Sequence, residues 1–93
     1  MRQPIVVKNL FWDSWNVEHI AKHKVTVKEV ETALLDKKVK SLKAHDGRLM
    51  ILGRIGVRLL AIILVEESRG RYYLVTARDM DKKERKIYRG GIL

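Results

Sequence analysis

The sequence predicts an α+β domain in which two N-terminal helices pack on an antiparallel sheet of about four strands, followed by a short C-terminal helix. Three observations carry that expectation. Helix-start signatures stand at Asp13 and at Thr26 to Glu29, each ahead of a short stretch that suits a helix. After the second helix, from "VKSLKA" on, the period changes, and the turn signals "HDGR" and "SRGR" separate aliphatic and aromatic runs. A last signature, Asp81 to Glu84, opens a basic segment near the end.

In chain order, "PIVVKNLFW" from Pro4 reads as a strand or extended piece. Asp13 then caps a helix through about His23, with Asn16 at its third position; Lys22, His23 and Lys24 place cations at the negative end of the helix dipole. The Thr26 hydroxyl and Glu29 carboxylate form a capping box, and Val27, Val30 and Leu34 give the second helix an apolar face to about Leu35. "VKSLKA" suits an edge strand whose lysines discourage sheet-to-sheet association. "LMILGR", a break at Gly56, "VRLLAIILVEE" and "YYLVTA" then continue as a meander, because short connections favour antiparallel neighbours. Asp81 starts the last helix, which runs to about Arg89 before Gly90 and Gly91. Trp12, Trp15 and the "LMIL" run with Met50 are expected in the core, and Tyr72 and Tyr73 on opposite sheet faces. The two helices cover one face of the sheet; the other is expected to be partly open and basic.

All 93 residues fit one domain, residues 1–93, near the lower end of what folds without staples. With no cysteine there is neither a disulfide framework nor a cysteine-based zinc site. The longest nearly apolar run, Val57 to Val65, contains an arginine and is too short to span a bilayer. The N-terminal stretch lacks the pattern of a signal peptide, so the cytoplasm is the expected compartment and no membrane is expected as a partner. Twenty Lys and Arg against eleven Asp and Glu leave a net charge of +9, which on so small a body points to a polyanion, RNA or DNA first.

Cutting RNA without metal requires a base for the 2′-hydroxyl, an acid for the leaving oxygen and cations around the phosphorus. Arginine suits the last role, because its planar fork binds phosphate oxygens bidentately. Arg54, Arg58 and Arg78 lie on or at the ends of strands; Arg85, Tyr88 and Arg89 share one helical face at i, i+3 and i+4. Neighbouring cations are expected to lower the pKa of Tyr88 or His23, making either a proton carrier. Singly, each arginine also reads as a surface charge with a buried stem. His19 and His23 are one turn apart, but the metalloprotease glutamate is missing and no third ligand is evident, so no metal and no other cofactor is expected. The lysines of "DKKVK" read as a solvated edge.

"FWDSWNVEHIAKHKVTVKEVETALL", "ILGR…RLLAII" and "YLVTARDMDKKERKIYR" together resemble the BrnT toxin family over about Leu10 to Arg89. The resemblance implies a ribonuclease toxin of a type II toxin–antitoxin pair, similar in fold to the RelE group and cleaving RNA without metal. It also implies a cognate protein antitoxin, often with a ribbon-helix-helix DNA-binding part, which neutralises the toxin and with it binds their promoter DNA. The family's active-site candidates map onto Arg78, Arg85 and Tyr88, and its Lys-His pair onto Lys22 and His23. The expected catalytic set is therefore Arg78, Arg85, Tyr88 and His23, with Lys22, Arg54, Arg58 and Arg89 binding RNA. Departures from the family pattern are Lys24 in the place of a glycine, Val57 in the place of another, and "LVEE" for a Tyr-Thr strand end. Two other classes fit the same basic face: a non-catalytic RNA- or DNA-binding module, and an interaction protein that docks an acidic segment of its antitoxin.

Overall fold

The structure is a computed structural model that describes residues 9–90. Its order is β1 (Leu10–Phe11), α1 (Ser14–Ala21), α2 (Val27–Leu34), β2 (Lys40–Lys43), β3 (Arg48–Ile55), β4 (Arg58–Ser68), β5 (Arg71–Asp79) and α3 (Lys82–Tyr88). The strands form one sheet in the order β1-β5-β4-β3-β2. The four expected antiparallel strands are β2 to β5. The sheet has a fifth strand and is mixed, because β1 pairs parallel with β5 through Leu10–Tyr72 and Phe11–Tyr73. Residues 4–8 of the expected opening strand, and Gly91 of the expected stop, lie outside the described residues.

Local signals place each helix. Asp13 and Asn16 close a reciprocal capping box, each backbone N–H donating to the other's side-chain oxygen at 2.9 Å. Asn16 is fully buried, and its amide donates to Phe11 O at 3.0 Å and Leu74 O at 3.1 Å, tying α1 to β5. Thr26–Glu29 and Asp81–Glu84 form the boxes of α2 and α3. After α1 the chain closes in a Schellman motif: Val25 N–H donates to Ile20 O at 3.1 Å and Lys24 N–H to Ala21 O at 2.9 Å. Lys24 therefore adopts φ 60°, a conformation that glycine takes more freely.

Side chains alternate across the sheet, so β3 and β4 feed two cores. On one face Leu60, Ile62, Leu64, Leu74, Ala77 and Ile51 pack with Ile20, Val25, Val30, Ala33 and Leu34 of the two N-terminal helices. The approach of α2 to β3 is close enough to require Gly53, where a Cβ would lie 2.4 Å from Ala33 O. The opposite face is less open than expected, because α3 folds back onto it. Tyr88, Ile87 and the preceding Met80 pack there with Leu42, Met50, Leu52, Leu59 and Ala61. Trp12 is half-buried against the first core, but Trp15 is 63% exposed, contrary to its expected place in the interior. The helical turn of α1 puts it on the outer side with His19, one turn on, while Asn16 and Ile20 face inward. Among the described residues no helix is long and apolar enough to cross a membrane.

Candidate functional site

β3 and β4 are joined by a two-residue turn, Gly56-Val57, between the paired residues Ile55 and Arg58. Gly56 takes φ 60°, the left-handed first position of such a hairpin turn. That turn, the end of β3 and the end of α3 enclose an open pocket of about 450 Å³ lined by Lys38, Arg54, Val57, Leu59, Tyr88 and Arg89. The side chains of Lys38, Arg54 and Arg89 make no hydrogen bond or ion pair within the described residues, and no carboxylate is among the lining. Three cations thus converge on one apolar-floored concavity, an arrangement that attracts a polyanion and focuses its field.

The phenol of Tyr88 sits in the wall of this pocket. Its ring is buried in the second core, and its hydroxyl donates to Asp36 Oδ2 at 2.5 Å. The same oxygen accepts the Arg54 backbone N–H at 3.1 Å, while Asp36 Oδ1 accepts the Lys38 N–H at 3.1 Å. Burial, first, and then the Asp36 carboxylate push the Tyr88 pKa above its ordinary value; the nearby Arg54 charge opposes them and is outweighed. The expected lowering of the Tyr88 pKa is therefore reversed. At neutral pH this phenol is a proton donor.

Arg78 and Arg85 stand at the other end of α3 and have partners within the fold. Arg78 makes a bidentate pair with Glu84, and its Nη1 also donates to Asp79 O at 3.2 Å. Glu84 lies below the usual carboxylate range, chiefly because of that Arg78 bond. Arg85 Nη1 donates to Met80 O at 2.7 Å, closing the turn between β5 and α3.

Arg58, Lys22 and His23 belong to the face covered by α1 and α2. The Arg58 guanidinium donates to Asp79 Oδ1 at 2.8 Å, Glu29 Oε2 at 3.0 Å and the carbonyls of Lys24 at 2.8 Å and His23 at 3.3 Å. It fastens the end of α1 and the cap of α2 to the end of β5. His23 lies in a surface column: Trp15 stacks on His19 at 5.3 Å, and His19 meets His23 edge-on at 5.7 Å. Among the described residues no group of three or more metal-ligating side chains could hold a metal ion.

The eight residues singled out from the sequence thus fall into three groups. Arg54, Tyr88 and Arg89 meet in the pocket; Arg78 and Arg85 fix the start of α3; Lys22, His23 and Arg58 lie beyond the opposite face. Sequence reasoning passed over Asp36 and Lys38, which sit in a charge run whose pattern resembles any solvated loop.

The family model described as "Ribonuclease toxin, BrnT, of type II toxin-antitoxin system" matches residues 12–84. The crystal structure of the Brucella abortus ribonuclease toxin BrnT superposes with a TM-score of 0.61 at 22% identity, covering 78% of this chain and 96% of that one. That likeness extends to the fold, and no match was found among curated proteins. The family match spans most of the chain, from the tryptophan before the first cap to the glutamate that closes the last one, and so the chain belongs to the BrnT family of ribonuclease toxins of type II toxin–antitoxin systems.

Proposed function

We propose that this chain cleaves single-stranded RNA in the Tyr88 pocket without a metal ion, and that a cognate antitoxin holds it inactive. The observation that carries this reading is the convergence of three unpaired cations on a phenol whose proton is retained. Arg54, Arg89 and Lys38 receive the scissile phosphate and offset the charge that grows on its oxygens. As the 2′-oxygen bonds to phosphorus, its proton passes to solvent on the open side. As the bond from phosphorus to the 5′-oxygen breaks, Tyr88 protonates that oxygen, leaving a 2′,3′-cyclic phosphate and a 5′-hydroxyl.

In this reading Arg78 and Arg85 contribute by fixing α3, and Arg58 by holding the helix corner. The antitoxin covers the cationic end of the sheet with an acidic segment, carries a ribbon-helix-helix part, and binds promoter DNA together with the toxin in the cytoplasm. Expression of the chain alone arrests growth, and Arg54→Ala, Arg89→Ala or Tyr88→Phe relieves the arrest. Unimpaired growth on expression of a folded wild-type chain would count against the proposal.

A second reading, a basic RNA-binding module that does not cut, is favoured by the exposed Trp15–His19 stack, which offers a π face to a base. Such a module binds RNA with a steep salt dependence and leaves it intact; each phosphate contact removed lowers the salt slope by roughly 0.7 for single strands.

A further inference from the structure

We propose that Asp36 is the positioning residue of the Tyr88 site: its carboxylate fixes the phenol proton at the pocket wall and keeps Tyr88 a donor until substrate displaces the bond. The inference rests on the cleavage reading above and adds to it a residue that neither the basic surface nor the α3 sequence indicates.

Asp36 follows α2 by two residues, where its own N–H donates to Ala33 O at 3.1 Å. From that fixed backbone its carboxylate gathers three donors from three parts of the chain: Lys38 N–H in the loop, Arg54 N–H on β3 and the Tyr88 hydroxyl on α3. A neutral carbonyl would satisfy a largely buried phenol equally well. A carboxylate does more, because it makes the tyrosinate a like-charged neighbour. The other charged groups around Tyr88 are Arg54 from β3, Lys38 from the loop and Arg89 from α3. Lys40 of β2 donates through Nζ to Ile87 O at 2.9 Å, one residue away. Glu84, one turn earlier on α3, is neutralised by Arg78. Cations therefore surround the site, and among the described residues Asp36 is the one anion bonded to the phenol.

That balance suits a proton donor that must recover quickly. When the phenol proton turns from Asp36 to the leaving 5′-oxygen, the tyrosinate left behind faces the carboxylate. It regains a proton from solvent, matching the one lost from the 2′-hydroxyl, and no further reactant is required.

The experiment is a double-mutant cycle of Asp36→Asn and Tyr88→Phe, read as single-turnover RNA cleavage over pH with thermal melting of each variant. Asparagine keeps an oxygen for the same donors and removes the charge. Asp36→Asn is expected to lower kcat by about tenfold or more with KM changed less than about twofold, and to move the alkaline limb of the profile to lower pH. In the Tyr88→Phe background it should cost nothing further. Losses that add in full would overturn the proposal, since a residue that only supports the fold acts whichever side chain is present at position 88. Tyrosine 13Cζ NMR, assigned with Tyr88→Phe, gives a readout independent of cleavage. The Tyr88 titration moves to lower pH in Asp36→Asn, and an unmoved titration also overturns the proposal. If wild-type protein cuts no RNA, the cleavage reading falls, while the NMR titration still decides whether Asp36 governs the phenol. Should Asp36→Asn not fold, Asp36→Glu retains the charge and displaces the carboxylate. It is expected to reduce kcat while its Tyr88 titration stays above that of a free tyrosine.

Discussion

The Arg78 guanidinium and the Glu84 carboxylate meet fork to fork across the turn between β5 and α3, Nη1 to Oε1 at 2.7 Å and Nη2 to Oε2 at 2.9 Å. Glu84 Oε1 also accepts the Asp81 N–H at 2.9 Å, so one buried carboxylate fixes both the strand end and the helix start. A lysine at position 78 carries the charge but not the fork. Arg78→Lys and Glu84→Gln are each expected to lower stability by about 1–3 kcal/mol. Because they break one interaction, the double variant should lose much less than the sum. Urea denaturation of the four proteins measures this; full additivity would mean that the two side chains act separately.

Acid should loosen the same joints. Glu84 and Asp79 lie below their ordinary values chiefly through Arg78 and Arg58, and Glu29 chiefly through the Thr26 backbone N–H. A depressed folded-state value means that the unfolded chain binds the proton more readily. The stabilisation is therefore complete above the unfolded-state values of about 4 and is lost as pH falls through the lower folded ones. Melting temperature should hold near neutrality and drop below about pH 4.5. In Glu84→Gln the acid-dependent part of the drop shrinks. An equally steep loss in that variant would remove Glu84 from the explanation.

Lys24 occupies a left-handed position that glycine adopts freely. Its side chain makes no hydrogen bond within the described residues, and its carbonyl, which accepts from Arg58, is retained on substitution. Lys24→Gly is expected to stabilise the fold by about 0.5–1 kcal/mol, the relief of left-handed strain less the added freedom of the unfolded chain. That corresponds to a rise of roughly 2–8 °C in Tm. A fall in Tm would show that the lysine side chain supports the corner.

The helix starts were legible because capping is local: Asp13, Thr26 and Asp81 each meet a partner three residues on. The return of α3 onto the second sheet face was not, because the apolar surface that receives it comes from β2, β3 and β4. The parallel pairing of β1 joins residues about sixty positions apart, and two residues carry no periodicity. Helical spacing grouped Arg85, Tyr88 and Arg89, but only Tyr88 and Arg89 line the pocket, because Arg85 turns back to donate to Met80 O; that Arg54 would meet them could not be read from its place at a strand end. The direction of the Tyr88 pKa could not, because its sequence neighbours are arginines while the controlling carboxylate, Asp36, is 52 positions away. Arg58 likewise looked like a free cation until the fold brought Glu29 and Asp79 to it.

The most direct measurement is cleavage of a single-stranded RNA by purified protein in excess EDTA, counting 2′,3′-cyclic phosphate ends for wild type and Tyr88→Phe. Removing one proton donor should slow the cut by about 10²–10⁴-fold, with the melting temperature of the variant close to that of wild type. RNA left intact by folded wild-type protein, or cut equally fast by Tyr88→Phe, would contradict the assignment of cleavage to the Tyr88 pocket.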